Sequence, residues 1–293
     1  MRRWWVALVC AVALGVTSAC GSLPYGIDGD ITDEWTPPAE PQPFRPADTG
    51  CFDEVDRTAP LATYAPIDCA ERHLAEAFYL GELTGKAAAK DAAQSGAATT
   101  AAAAECGRRA VTFFGAEHRT GQLRLQPVLP GTAGWAGGAR WFRCDAMQVD
   151  LNTDRVVSRT GSLRDTLKGR APMALRCFQA DVRGASVGEL RAVDCAKKHD
   201  AEFAGLWTAP AGDLADLDNT RLGKGCRSTI ADWAGVPDNS DTQYRYGYLG
   251  FAPTGVEWDN GLRTVQCFLW MEGRTLKGSY RKAGTKKLPI NYA

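Results

Sequence analysis

The chain is short of histidine, with three in 293 residues: His73, His118 and His199. That leaves little material for histidine-based catalysis or metal cages. It has no excess of either charge, since 34 Lys and Arg stand against 34 Asp and Glu. A dedicated nucleic-acid binder carries a basic surplus, so no nucleic-acid partner is expected. No run reaches the roughly 20 apolar residues that a membrane-spanning helix needs. The glycine-rich stretch 131–138 lacks the Lys-Ser or Lys-Thr ending of a phosphate loop. Gly161-Ser162-Leu163 lacks the second glycine of a nucleophile elbow. There is no Cys-x-x-Cys pair, which disfavours a thiol-redox enzyme. Acidic pairs such as Asp53-Glu54 have no positional logic for glycoside hydrolysis.

What is present suits a globular chain of about two domains: 45% hydrophobic and 23% charged residues. Met1-Arg2-Arg3 is a cationic start, and the apolar run Trp4 to Val16 has signal-peptide length. Thr17-Ser18-Ala19 then precedes Cys20, a pattern that resembles a bacterial lipoprotein signal. Residues 1–19 are therefore expected to be a signal peptide and Cys20 the acylated residue. Acylation would hold the chain on the extracytoplasmic face of the cell membrane. Without it, the signal would be an ordinary secretory one and the protein would be secreted. Residues 20–50 read as a tether, because Pro37, Pro38, Pro41, Pro43 and Pro46 favour an extended path.

The remainder is one pattern written twice. Cys51-Phe52 recurs as Cys177-Phe178, Cys69 as Cys195, His73 as His199, and Glu76 as Glu202, all at one offset. Cys106 corresponds to Cys226, and Trp135, Gly138, Arg140 and Cys144 correspond to Trp258, Gly261, Arg263 and Cys267. Gly161-Ser162-Leu163 resembles Gly278-Ser279-Tyr280. Two homologous domains are expected, at 51–168 and 172–293, joined near 165–172. The fold class is α+β, each domain being a small antiparallel sheet with one main helix.

Eight cysteines follow the tether, four in each domain, and an even set in an exported chain is a disulfide framework. Four cysteines permit three pairings per domain. Geometry favours Cys51–Cys69 with Cys106–Cys144, and Cys177–Cys195 with Cys226–Cys267. The first of each pair flanks one loop. The second joins a helix to the closing strand, because Leu222, Cys226, Ile230 and Trp233 share a helical face and Val265, Cys267, Leu269 and Met271 alternate along a strand. A helix is expected over 86–114, interrupted near Ser95-Gly96. Strands are expected over 74–80, 201–207 and 243–251, with Tyr244, Tyr246 and Tyr248 on one side of the last. Asn260-Gly261 reads as a hairpin turn, as does Gly137-Gly138. The hairpin would set Trp258 across from Arg263 and Trp135 across from Arg140, a cation–π pair that fixes the turn. A second reading makes the pair an exposed platform for a glycan or protein partner.

Cys-Phe, then Cys-x-x-x-His-x-x-Glu, a helical Cys, and Trp-x-x-Gly-x-Arg-x-x-x-Cys together resemble the actinobacterial septum-formation domain, here in two copies. The resemblance implies an exported or membrane-anchored protein linked to septum formation and cell division, and it identifies no reaction.

The His73–Glu76 and His199–Glu202 pairs are the tempting catalytic or metal candidates, but either chemistry needs a thiolate or a third ligand. They are read as structural histidines that hydrogen-bond a turn or the glutamate. His118 has no counterpart and is taken as a surface residue. The basic end, Arg281-Lys282 and Lys286-Lys287, has the charge to touch anionic lipid or a wall polymer, and is read first as a solubilising tail. The expectation is an envelope lipoprotein without enzymatic activity, cofactor or metal. It would bind or scaffold a division protein or wall polymer, with His73, Glu76, Trp135, Arg140, His199, Glu202, Trp258 and Arg263 as weak candidates for partner contact. The alternative is an envelope hydrolase or metal-dependent enzyme using His73 or His199 with Glu76 or Glu202.

Overall fold

The computed structural model describes residues 44–55, 65–93, 95–169, 173–184 and 186–292. The signal segment 1–19, Cys20 and the tether as far as residue 43 lie outside the described residues. Residues 43–293 form one compact unit.

Two antiparallel sheets carry the structure. The first has the order β1-β2-β4-β3, from β1 (Gly50–Phe52), β2 (Ala75–Glu82), β3 (Leu123–Val128) and β4 (Trp141–Gln148). The second has the order β6-β5-β8-β10-β9, from β5 (Cys177–Arg183), β6 (Ser186–Val193), β8 (Ala201–Thr208), β9 (Gly247–Phe251) and β10 (Thr264–Trp270). A small ladder joins β7 (Lys198–His199) to β11 (Leu276–Lys277). Helix α1 (Ala97–Phe114) lies between β2 and β3 in sequence, and α3 (Asn219–Ala234) between β8 and β9. The fold is α+β, as expected.

Local chemistry explains where the helices begin and end. Helix α1 buries Ala98, Ala102, Cys106, Ala110 and Phe113, a stripe at helical spacing. It starts after Gly96 and stops at Gly115, both in the left-handed region, at φ 76° and 88°. Only glycine adopts that conformation at little cost, and the Gly115 N–H closes the helix on the Val111 carbonyl. Upstream, residues 85–88 form one 3-10 turn, so the alanine-rich run is helical only beyond Gly96. Helix α3 starts where the Asp218 side chain accepts from the Arg221 N–H at 2.7 Å.

Each helix is bolted to its sheet. Cys106 of α1 joins Cys144 of β4, and Cys226 of α3 joins Cys267 of β10. Cys51–Cys69 and Cys177–Cys195 close the shorter loops. These are the pairings that the sequence geometry favours.

Strand β10 is buried on both faces, which the alternation in sequence does not reveal. Val265, Cys267 and Leu269 face α3, while Phe268 on the opposite face meets Phe178, Phe203 and Phe251 edge-on at 5.3–5.6 Å. Edge-to-face rings of this kind add about 0.5–1.5 kcal/mol per pair beyond burial. The matching face of β4 sets a buried ion pair between the apolar Trp141 and Met147. Arg143 donates from Nε and Nη2 to the two oxygens of Asp145, each at 2.7 Å, and its guanidinium lies 4.1 Å over the Phe52 ring. Burial raises the Asp145 carboxyl, and the Arg143 bonds oppose that rise.

The strand expected over 243–251 is shorter than its tyrosine alternation suggests. Residues 240–244 form a 3-10 turn instead, initiated by a capping box in which Asn239 and Thr242 exchange hydrogen bonds. Tyr244 is therefore exposed, Tyr246 is buried, and only Tyr248 sits in the strand.

The halves meet along a polar seam. The Gln122 N–H donates to the Met173 carbonyl at 3.1 Å, and the Leu175 N–H to the Thr120 carbonyl at 2.9 Å. Gln266 Nε2 donates to the Arg119 carbonyl at 2.8 Å, and Arg119 Nη2 to the Phe251 carbonyl at 3.0 Å. Asn152 pairs with edge strand β6 like a peptide, accepting from the Leu190 N–H at 2.6 Å and donating to its carbonyl at 3.3 Å.

Candidate functional site

The His–Glu pairs form a buried polar constellation in each half. Strand β8 presents Glu202, and β7 presents His199 three residues earlier. His199 is fully buried, and its Nδ1 lies 2.9 Å from the Lys197 carbonyl. A carbonyl only accepts, so Nδ1 carries the proton of this contact. Glu202 is buried too. Ser279 Oγ donates to its Oε1 at 2.5 Å, and the Tyr280 N–H to its Oε2 at 2.8 Å. Burial raises the Glu202 carboxyl, while Ser279, Tyr280 and the nearby His199 act in the other direction.

The first half repeats this arrangement. His73 Nδ1 lies 2.9 Å from the Glu71 carbonyl. Ser162 Oγ donates to Glu76 Oε1 at 2.6 Å, and the Leu163 N–H to Oε2 at 2.5 Å. The receiving turns also match. Gly161 and Gly278, at φ 78° and 73°, donate their N–H groups to the Cys69 and Cys195 carbonyls. Gly161-Ser162-Leu163 and Gly278-Ser279-Tyr280 are thus carboxylate receptors. Sequence reasoning rejected the serine as a nucleophile and missed this role. The available signal was the recurrence of Gly-Ser at corresponding positions in both halves.

The metal chemistry open to these groups is narrow. Cys177 Sγ, a ring nitrogen of His199 and a carboxylate oxygen of Glu202 lie within 4.8 Å of one another, and Cys51, Cys69 and Glu76 group similarly. All the sulfurs concerned are in disulfides and are not thiolates. That leaves His199 with Glu202 in the second half and Glu76 alone in the first, each carboxylate already accepting two hydrogen bonds. Nε2 of both histidines is buried without a hydrogen-bond partner. Neither histidine lines the small surface depression bounded by Pro210, Asp213, Arg221 and Trp258.

The Trp-x-x-Gly-x-Arg element has the expected pairing but a different backbone. There is no hairpin at Asn260-Gly261 or at Gly137-Gly138. Trp135 lies in the one-turn helix α2 (Thr132–Ala136) and Trp258 in α4 (Gly255–Asp259). A Thr254–Glu257 capping box starts α4, so local side-chain bonds outcompete the Asn-Gly turn. Gly138 and Gly261, at φ 95° and 93°, then turn the chain into the next strand. Each arginine folds back over its tryptophan. The Arg140 guanidinium is 4.1 Å from the Trp135 ring and that of Arg263 is 4.2 Å from the Trp258 ring. Nη1 of each donates to the carbonyl of the same tryptophan, at 2.8 and 2.5 Å. The indoles are only 6% and 3% exposed, and their N–H groups are taken by the Lys90 and Gly212 carbonyls. An exposed aromatic platform is therefore not what these residues form. The Arg263→Lys variant is expected to lose about 1–2 kcal/mol, since an ammonium cannot stack and bond in the same fork-like way. Chemical denaturation measures this directly.

His118 corrects the surface assignment: it is 4% exposed, with Nδ1 2.9 Å from Glu117 Oε1. It begins the 3-10 turn 118–120 at the seam between the halves. Its neighbour Arg119 is buried there, which lowers its affinity for a proton. Arg119 reaches across the seam, donating from Nη2 to the Phe251 carbonyl.

The family model for septum formation matches residues 50–267. The chain belongs to the septum-formation family. The match runs as one span through both halves and takes in all eight bridged cysteines and both His–Glu pairs. Membership supports a role connected with cell division. No curated protein and no solved structure matches the chain. The second carboxylate receptor and the basic C-terminal segment lie beyond the matched span of this septum-formation family member.

Proposed function

We propose that this septum-formation family member is an extracytoplasmic binding or scaffolding module. In this reading Cys20 is acylated, residues 20–50 act as the spacer, and the duplicated halves engage a partner at the division site. A division protein or a wall polymer is the partner class. Duplication supplies two related surfaces and raises avidity without new contacts.

The observation that carries this reading over catalysis is how the histidines and glutamates are employed. In both halves the imidazole Nδ1 is spent on a turn carbonyl and the carboxylate on a serine and a backbone N–H. A general base needs reach to a substrate proton, and a nucleophile needs an open approach. The four disulfides support placement outside the cytosol, where such bonds persist.

A double variant, His73→Asn and His199→Asn, tests the choice. Asparagine can still donate to the turn carbonyls, so the fold is expected to survive. In-cell crosslinking of the full chain should then capture the same partners as the parent. Loss of the cellular phenotype with fold and capture intact would favour the hydrolase or metal-enzyme reading instead.

A further inference from the structure

Residues 273–293 contain six lysines and arginines and no aspartate or glutamate, within a chain that is neutral as a whole. A sequence reading makes this a solubilising tail, but the structure builds it into the body. Leu276 and Leu288 are buried at 1% and 0% exposure. The Lys282 N–H donates to the Trp233 carbonyl at 3.0 Å, Arg245 Nη1 to the Leu288 carbonyl at 2.7 Å, and the Asn291 N–H to the Tyr244 carbonyl at 2.9 Å. The backbone is therefore held while Arg274, Lys277, Arg281, Lys282, Lys286 and Lys287 all remain exposed. None of the six makes an ion pair among the described residues. Beside them Tyr244 and Tyr292, 41% and 70% exposed, hold their rings 4.9 Å apart.

We propose that this fixed cationic segment docks on the surface of an anionic phospholipid bilayer. The inference rests on the membrane-side location proposed above and adds a contact surface to it. Charge complementarity is the first argument, because acid-free basic segments are drawn to anionic headgroups and the attraction fades within a Debye length. The tyrosine pair is the second, since tyrosine favours the boundary between headgroups and water. Rigidity is the third. A docked segment loses less conformational freedom on binding than a loose tail and imposes one orientation on the protein. The segment would turn the second half towards the membrane, while the tether sets only how far the domain can travel.

Vesicle co-sedimentation of the full chain tests this. Vesicles of phosphatidylcholine are compared with vesicles containing about 30% phosphatidylglycerol, at low and high salt. The parent is expected to bind the anionic vesicles about tenfold more tightly or better at low salt, with the preference lost near ~0.5 M salt. A variant carrying Arg281→Glu, Lys282→Glu, Lys286→Glu and Lys287→Glu should lose the preference while keeping its circular dichroism. Equal binding of the parent to both vesicle types overturns the proposal, as does a preference that survives in the variant. Binding of inorganic polyphosphate without any vesicle preference also overturns it, in favour of a soluble polymer. Retention on neutral vesicles reads the N-terminal anchor separately, so failure of this segment and failure of the anchored reading give different results.

Discussion

Replacing Cys226 and Cys267 together with alanine is expected to destabilise the protein by about 4 kcal/mol. The sulfurs join α3 to β10 across a sequence separation of 41 residues. Loop-closure entropy for that length corresponds to about 4 kcal/mol at room temperature. The same treatment of Cys177 and Cys195, separated by 18 residues, gives about 3 kcal/mol. The ordering of the two costs is the sharper test, because strain and residual unfolded structure affect absolute values. The long bridge also links elements that carry two buried clusters. For a chain of this size each kcal/mol corresponds to about 2–4 °C in melting temperature. Calorimetry should therefore show a fall of about 8–16 °C for the long bridge and less for the short one. A larger loss at the short bridge would contradict the entropic account.

Glu202→Ala is expected to cost about 3 kcal/mol, and Glu202→Gln only about 1 kcal/mol. Alanine removes the buried acceptor of the Ser279 hydroxyl and the Tyr280 N–H, in a part-buried setting. Glutamine keeps a carbonyl for the Tyr280 N–H, and its amide can donate to Ser279 Oγ. The two variants also differ in pH dependence. Burial raises the Glu202 carboxyl above its unfolded value, so the folded state holds its proton more tightly. The stability contributed by this group is full below the ordinary carboxylate range and is lost as pH rises through the raised value. In Glu202→Gln that loss disappears, so the stability gap to the parent narrows with rising pH across this window. Urea denaturation at several pH values reads both effects. A flat difference between parent and glutamine variant would show that the carboxyl does not titrate there.

The cysteine scaffold was legible because helix and strand periodicity each leave a fixed direction for a side chain. Spacings of three and four placed Cys226 inward on a helix, and spacing of two placed Cys267 inward on a strand. The strands expected over 74–80 and 201–207 run over Ala75–Glu82 and Ala201–Thr208. The Trp–Arg contacts were legible as pairs but not in their backbone. Asn-Gly is a strong local turn signal, yet the Thr254–Glu257 capping box upstream had already committed the chain to a helical turn. In the same way, Asn239 shortened the strand that the tyrosine alternation suggested.

The candidate site was half legible. His73, Glu76, His199 and Glu202 stood out by their recurrence, as did the two Gly-Ser pairs; that the serine turns receive the glutamates did not. Ser162 lies 86 residues from Glu76, and Ser279 lies 77 from Glu202. No local rule connects positions so far apart.

By itself the sequence determined the α+β class, the recurrence of one motif set and the direction in which each bridging cysteine points. These depend on periodicity and residue chemistry within a few turns or strands. Only the tertiary structure decided that His118 and Arg119 are buried, that β10 is covered on both faces, that glutamates are received by Gly-Ser turns, and that the basic end is a fixed surface. Each of these depends on which distant segments come into contact, because burial and hydrogen-bond partnership belong to pairs of surfaces and not to any stretch of chain taken alone.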